Sequence, residues 1–201
     1  MKINPTDLDP RNSHRLNTAA IVPRPIAFVS TIGEDGIYNL APFSAYASIS
    51  IKPAIVGFSV VPRRDGQKKD TLKNIEFSKD FVINVVNETL AEAMNKTSAT
   101  FPSSVDEFKE AGLTPIKSDL VKAPRVAECP INMECKLLQI LQFGKSSNGS
   151  NLVIGEVVLF HVKDELYVNG EIQMSKLKAI GRLGGNSYCR TTDMFEMERP
   201  D

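Results

Sequence analysis

The chain has 201 residues, of which 42% are hydrophobic and 24% are charged, so it is long enough to bury one sizeable core. Lysine and arginine together number 24, as do aspartate and glutamate, and this balance gives no general attraction to nucleic acid or to an anionic membrane surface. With no apolar run of about 18 residues, no apolar leader after Met1 and three cysteines without C-x-x-C spacing, we expect a cytoplasmic protein with no membrane segment.

The first third of the chain predicts three β-strands. Residues 25–33 are apolar and β-branched, which is typical of a buried strand, and Asp35-Gly36 then forms a hairpin signal. A second strand is predicted over residues 41–50 and a third over residues 54–61, with Pro53 in the turn between them. The short connections predict an antiparallel meander.

The middle of the chain mixes helices with a strand. A basic segment leads into a predicted helix, which Asp70 or Thr71 could cap and in which apolar residues recur at helical spacing. Residues 80–86 predict a strand. Short helices are predicted within residues 89–99, with Thr89 as cap, and within residues 104–112, ending near Gly112.

The remaining segments complete a mainly β chain. Residues 102–130, rich in proline and polar residues, are interpreted as an excursion across the surface of a single domain spanning residues 1–201. Residues 131–144 and 151–164 are long β patterns joined by a loop with a turn-forming Asn148-Gly149. Six or seven strands with a few helices predict a β-barrel with helical additions.

Several motifs that would define a site are missing from the sequence. There is no phosphate-binding G-x-x-x-x-G-K-[ST], no G-x-G-x-x-G after a strand, no G-x-S-x-G elbow and no H-E-x-x-H. These absences disfavour a P-loop nucleotide site, a Rossmann site and an α/β-hydrolase. The two histidines and three cysteines have no metal-binding spacing, so we predict no metal site.

Two polar patterns nevertheless suggest a phosphorylated ligand. Residues 68–71, KKDT, combine lysines with a helix start, and a helix start favours anions; the alternative is a solvated basic loop. Ser44, Ser48 and Ser50 are separated by even numbers, so in a regular strand they share one face and offer hydroxyls to a ligand. The alternative interpretation is that these serines form the solvent-exposed polar face of an antiparallel strand.

Two single residues are weaker candidates. His161 stands near the end of a predicted strand and could transfer a proton, because its ordinary pKa lies near neutrality; a structural role is the alternative. Asn39 follows the Asp35-Gly36 turn, and on residue type alone it would cap that turn.

Four motifs in order suggest a family. They are RPIAFVST (residues 24–31), G-x-x-N-x-A-P-F-S (36–44), KDT-x-x-N-I (69–75) and RLGG-x-x-Y (182–188). Together they cover most of the chain, which therefore resembles the flavin reductase-like, FMN-binding split-barrel family. Members often carry two prolines where this chain has Pro53-Ala54.

The resemblance implies a Greek-key split β-barrel that forms a homodimer, with FMN near the interface. It implies that the segment from Asn39 to Ser50 follows the flavin, that Ser48 and Ser50 lie towards the ribityl-phosphate tail, and that Thr31 is a further candidate. It also implies FMN-phosphate contacts from Lys69, Asp70 and Thr71, and backbone contacts to the ring from Ala41, Pro42, Phe43, Ser44 and Ala45.

The resemblance further implies an NAD(P)H-dependent flavin reductase. NADH or NADPH would pass hydride to flavin N5, and the electrons would continue to an acceptor. Two alternatives stay open: an FMN electron carrier that exchanges electrons with a redox partner protein, and a split-barrel binding module without flavin chemistry.

Overall fold

The computed structural model describes residues 1–63, 65–144 and 149–200. Within these ranges the α-helices are α1 (Pro10–Ala20), α2 (Asp70–Ser78), α3 (Ala91–Lys96), α4 (Glu107–Ala111) and α5 (Met174–Leu177). The strands are β1 (Ala27–Ile32), β2 (Tyr38–Phe43), β3 (Tyr46–Ser50), β4 (Ile55–Val60), β5 (Asp80–Val85), β6 (Pro115–Ile116), β7 (Arg125–Val126), β8 (Ile131–Phe143), β9 (Ser150–Val162), β10 (Tyr167–Val168), β11 (Glu171–Ile172), β12 (Ile180–Arg182) and β13 (Tyr188–Arg190). The turn predicted at Asn148-Gly149 includes a residue outside the described ranges.

One antiparallel sheet dominates the fold. Its seven strands lie in the order β2-β1-β5-β8-β9-β4-β3. The sheet curls, since Phe43 at the end of β2 packs on Phe58 of β4 with ring centroids 5.2 Å apart. The mainly β split barrel with short helical additions is therefore confirmed, as are the strands expected near β1, β4, β5, β8 and β9.

The predicted meander is wrong, as is the single strand over residues 41–50. β2 and β3 are consecutive in the chain but lie at opposite edges of the sheet. The chain leaves β2 after Phe43 and crosses to the other edge, where the carbonyl of Ala45 accepts a hydrogen bond from the amide of Ser59 at 2.8 Å. Ser44 and Ala45 therefore form a crossing rather than the middle of a strand.

The core has two main clusters. Inside the curled sheet, the aromatic rings of Phe43, Phe58 and Phe81 pack with Ile75 of α2. A second cluster lies on the other face of β1, where Phe28 packs with residues from the proline-rich segment 102–130. That segment forms α4 and the β6–β7 pair, and it contributes buried side chains such as Phe108 to the second cluster.

The structure contains one helix that the sequence did not predict, and two helices begin at other residues than predicted. Helix α1, which was not predicted, begins after Asp9, whose carboxylate accepts the amides of Arg11 and Asn12 at 2.9 Å. The predicted caps are wrong: Lys69 precedes α2 with no side-chain cap, and Thr89 lies outside α3. Gly112 ends α4 with φ 67°, as predicted, because glycine tolerates this left-handed conformation.

Among the described helices, none has both the length and the apolar character needed to cross a membrane.

Candidate functional site

A two-lobed cleft opens where the end of β2, the start of α2 and the β12–β13 loop meet. Both lobes are lined by His14, Pro42, Phe43, Ser44, Lys69 and Arg182. One lobe, here called the Tyr188 lobe, has a volume of about 730 Å³ and extends along Asn95 and Tyr188. The other, the Arg24 lobe, has about 520 Å³ and extends along Arg24 and Tyr46. Both volumes fall within the range of about 300–1,000 Å³ that small-molecule sites occupy.

The cleft is cationic although the chain has no net charge. Arg15, Arg24, Lys69 and Arg182 line it, and no carboxylate of the described residues does so. A concave surface with one sign of charge focuses the electrostatic potential and attracts ligands of the opposite sign. The cleft is therefore suited to an anionic ligand.

Lys69 provides the cation that is available to such a ligand. Its ammonium lies 5.5 Å from the centre of the Phe43 ring, which places it over the aromatic face. Within the described part of the chain it has no carboxylate at ion-pair distance, unlike its neighbours Lys68 and Lys73. Burial, together with the charge of Arg63, lowers the pKa of Lys69. An anion in the cleft would give this half-buried ammonium a partner.

Arg24, in contrast, is buried and uses four of its five N–H donors within the protein. Its guanidinium donates to the carbonyl oxygens of Ile21 and Leu183, each at 2.9 Å, and to that of Thr18. Its Nε lies 3.4 Å from Ser44 Oγ. Burial, with a contribution from Arg182, lowers its pKa. Arg24 thus ties α1, the β12–β13 loop and the crossing segment together around the cleft.

Arg182 and Tyr188 form a stacked pair where β12 and β13 border the cleft. The guanidinium carbon of Arg182 lies 4.4 Å from the centre of the Tyr188 ring, and Arg182 also donates to the carbonyl of Gly185. A planar cation over an aromatic face is a stable arrangement that leaves a flat surface beside it. This wall can accept a planar ring.

Five of the sequence-predicted residues line the cleft: Pro42, Phe43, Ser44, Ala45 and Lys69. Ala41 lines a smaller adjoining pocket together with Asp70 and Thr71. Ser48 and Ser50 lie on β3 and do not line the cleft. The prediction that Ser44, Ser48 and Ser50 share a strand face is wrong, because Ser44 precedes β3 and a register shift separates Ser48 from Ser50.

Three other predicted residues turn their polar groups towards one another rather than into the cleft. Thr31, Asn39 and Thr71 are buried, and the Asn39 carboxamide oxygen accepts the Thr71 hydroxyl at 2.7 Å and the Thr31 hydroxyl at 3.3 Å. Asn39 is therefore not the predicted turn cap. The Asp70 carboxylate pairs with Arg63 and with Lys73.

His161 lies in a separate cluster. Its Nε2 is 2.6 Å from Glu134 Oε1 and 3.8 Å from Asp119 Oδ2. Burial alone would raise the pKa of Glu134, but hydrogen bonds from the amides of Asp119 and Leu120 and from His161 lower it. These three side chains could offer ligands to a metal, yet Arg125 Nε already brings positive charge within 3.9 Å of the same Glu134 oxygen. The geometry favours an ion-pair cluster that anchors the 117–125 segment.

Sequence reasoning gave no role to Arg24, Arg182, Tyr188 or Glu107. The first three stood inside quoted motifs, and the proline on either side of Arg24 was a usable sign of a fixed position. Glu107 contacts β2 from 68 residues away in the chain, and no local pattern signals such a contact.

Comparison with known proteins identifies a matching family and several similar chains. A family model described as flavin reductase like domain matches residues 19–175. An uncharacterised protein of Halalkalibacterium halodurans is 38% identical over 202 residues, covering 100% of this chain and 97% of that protein. The structure of nitrilotriacetate monooxygenase component B from Bacillus cereus superposes with a TM-score of 0.94 at 36% identity, covering 98% of each chain. That of Pseudomonas fluorescens 2-nitrobenzoate 2-nitroreductase gives a TM-score of 0.90 at 32% identity, covering 100% of this chain and 96% of that one.

Proposed function

Since the chain belongs to the flavin reductase-like family, we propose that it is an oxidoreductase that binds FMN in the two-lobed cleft. NADH or NADPH would be the electron donor, and a further molecule or a redox partner protein the acceptor. The observation that carries this proposal is the cleft itself, which combines cations, aromatic faces and no carboxylate among its described lining residues.

The residues of the cleft fit the chemical groups of FMN. The phosphate is an anion and suits the ammonium of Lys69. The ribityl chain carries hydroxyls and suits the hydroxyl of Ser44, which Arg24 holds in place. The planar ring suits the Arg182–Tyr188 pair. When bound, the flavin would supply the hydride and electron transfer that no side chain here provides.

The protein's own part in the reaction is to bind, orient and shield. Lys69 would neutralise the phosphate, while Arg24 keeps α1 and the β12–β13 loop at the rim of the cleft. One lobe would hold the flavin tail, and the adjoining lobe leaves room for a second ligand beside the ring. His161, in its separate cluster, takes no part in this mechanism.

The proposal includes a homodimer with FMN near the interface. β3 is an edge strand, and Ser48 and Ile49 on it are exposed. Ile51, just beyond it, is 95% exposed. An exposed edge strand with isoleucines at its surface favours pairing with another chain. A second copy docked there would cover Ser48 and Ser50, the two serines expected near the ribityl-phosphate tail.

Anaerobic mixing of the FMN-loaded protein with NADH, and separately with NADPH, tests the proposed activity. We expect at least one nicotinamide to bleach the flavin absorbance rapidly. A protein that stays yellow with both, but is bleached by dithionite or by a reduced protein donor, would be an electron carrier instead. A colourless protein that takes up no added FMN would leave only the binding-module alternative.

A further inference from the structure

A polar cluster lies next to the cleft, and none of its members lines either lobe, although three of them line the smaller adjoining pocket. It consists of the buried Thr31, Asn39, Thr71 and Glu107 and the half-buried Asn74, contributed by β1, β2, α2 and α4. Glu107 comes from the 102–130 segment, far from the others in the chain. All these side chains find hydrogen-bond partners in one another or in the backbone, so their placement is strongly constrained.

Asn39 is the centre of this cluster. The nitrogen of its carboxamide donates hydrogen bonds and the oxygen accepts them. Its Nδ2 donates to both carboxylate oxygens of Glu107 at 2.8 Å, while its Oδ1 accepts the Thr71 hydroxyl at 2.7 Å. A carboxylate can only accept hydrogen bonds, whereas a hydroxyl can donate. Only a side chain that donates at one end and accepts at the other can join these two partners. Glu107 also accepts the amide of Leu40 at 3.0 Å, which fixes it against the β2 backbone.

The cluster sets the distance between two walls of the cleft. Thr71 is the second residue of α2, and Lys69 immediately precedes that helix. Asn39 lies on β2, three residues before Pro42, on the strand that ends at Phe43. The hydrogen bond between Asn39 and Thr71 therefore holds the start of α2 against β2. The Lys69 ammonium lies 5.5 Å from the Phe43 ring across this junction of α2 and β2.

We propose that Glu107, acting through Asn39, is a positioning residue for the anion-binding lysine of the cleft. Glu107 orients the Asn39 carboxamide, the carboxamide holds Thr71, and Thr71 fixes the helix start from which Lys69 extends. Glu107 thereby sets the affinity for the phosphate of the flavin without contacting it. This inference rests on the proposed function and adds a remote determinant of phosphate specificity to it.

The test compares Glu107→Gln with a double variant that restores one of its donor–acceptor pairs. Glutamine has one acceptor oxygen, and its NH₂ group would face the Asn39 donor, so the single variant places two donors together. When Asn39→Asp is added to Glu107→Gln, the carboxylate introduced on β2 accepts from the NH₂ group of the introduced glutamine and from the Thr71 hydroxyl. The glutamine oxygen accepts from the amide of Leu40 but also faces the introduced carboxylate, so the recovery is partial. The control is Glu134→Gln, which alters another buried carboxylate that accepts two backbone amides but lies outside the cleft.

The measurement is the dissociation constant for FMN and for riboflavin, determined on protein whose folding is checked by circular dichroism. We expect Glu107→Gln to weaken FMN about tenfold, as the loss of a charge-assisted contact would, and riboflavin much less. The double variant should recover part of the FMN affinity, and Glu134→Gln should leave the FMN-to-riboflavin ratio unchanged. If Glu107→Gln does not fold, Thr71→Val removes one hydroxyl from the same cluster and is expected to lower the same ratio.

Three results would overturn the inference. One is an unchanged FMN-to-riboflavin ratio in the folded variants, even if their melting temperatures fall, because that is the pattern of a purely structural cluster. Another is an equal change of the ratio in Glu107→Gln and Glu134→Gln. The third is a wild-type chain that takes up no FMN, which overturns the proposed function and the inference that rests on it.

Discussion

Arg24 and Lys69, two of the cations that line the cleft, differ in what their side chains already bind. The guanidinium of Arg24 donates to four protein oxygens, so its charge helps to build the cleft walls. The ammonium of Lys69 has an aromatic face beneath it and no ion-pair partner among the described carboxylates. Lys69, unlike Arg24, therefore keeps a charge that can discriminate in favour of a phosphorylated ligand.

Lys69→Ala should weaken FMN more than riboflavin, because only FMN carries the phosphate. A charge-assisted contact contributes about 1.5–3 kcal/mol, so the FMN dissociation constant should rise about tenfold or more. Isothermal titration with both ligands makes the comparison. Lys109→Ala, which removes an exposed lysine of α4, is the matched control and should change neither constant. Equal weakening of FMN and riboflavin by Lys69→Ala would contradict the assignment.

Lys69 should also make the preference for FMN over riboflavin depend on pH. Burial lowers the pKa of Lys69, so this side chain loses its charge at a lower pH than an ordinary lysine does. As the pH rises through the alkaline range, the preference for FMN over riboflavin should fall early, while the phosphate remains fully charged. Lys69→Arg stays charged throughout this range and should keep its preference. Identical pH profiles for the wild type and Lys69→Arg would exclude Lys69 as the phosphate ligand.

At the scale of elements, sequence patterns predicted the strands but not how they pair. β1, β4, β5, β8 and β9 have continuous apolar or alternating patterns, and these strands are present in the structure. The break at Ser44 was missed, because a run of small residues alternates as a strand does even where the chain crosses between sheet edges. Helix α1 was missed although Asp9-Pro10 is a helix-start signal, since none of its residues is buried.

The residues of the candidate cleft, like the strands, could be predicted where a local sequence pattern contains them. Pro42, Phe43 and Ser44, which line the cleft, were named from the sequence because one motif contains them. Arg182 and Glu107 reach the cleft or its supporting cluster only through tertiary contacts, which no local periodicity encodes. The sequence also could not reveal that Thr71 turns its hydroxyl into the protein while Lys69 turns towards the cleft.

Arg24 should control the position of helix α1. Arg24→Met removes the donors that hold the carbonyls of Thr18 and Ile21, and α1 has no buried side chains to retain it. Trypsin should therefore cut faster after Arg11 and Arg15 in this variant, which mass spectrometry can follow. Arg190→Met, which changes an exposed arginine paired with Glu88, should be cut at the wild-type rate. Unchanged cleavage in Arg24→Met would mean that other contacts hold α1.

At the scale of the whole molecule, the exposed edge strand β3 predicts self-association. Ile49 on β3 is 49% exposed and its side chain covers Gly57 of the neighbouring strand, so its outer surface is apolar. Ile49→Lys places a charge on this edge and should shift a dimer towards monomers in sedimentation velocity experiments. Leu120→Lys, at a similarly exposed position in the 117–125 segment, should leave the dimer intact. A monomeric wild type would refute the proposed dimer.

The central claim is that the two-lobed cleft binds FMN, and titration of the purified, flavin-free protein with FMN tests it most directly. Quenching of flavin fluorescence should saturate at one FMN per chain in the wild type, and Lys69→Ala should require more FMN to reach the same saturation. Absence of saturable FMN uptake by the wild type, in a sample whose circular dichroism confirms a folded β protein, would contradict the account.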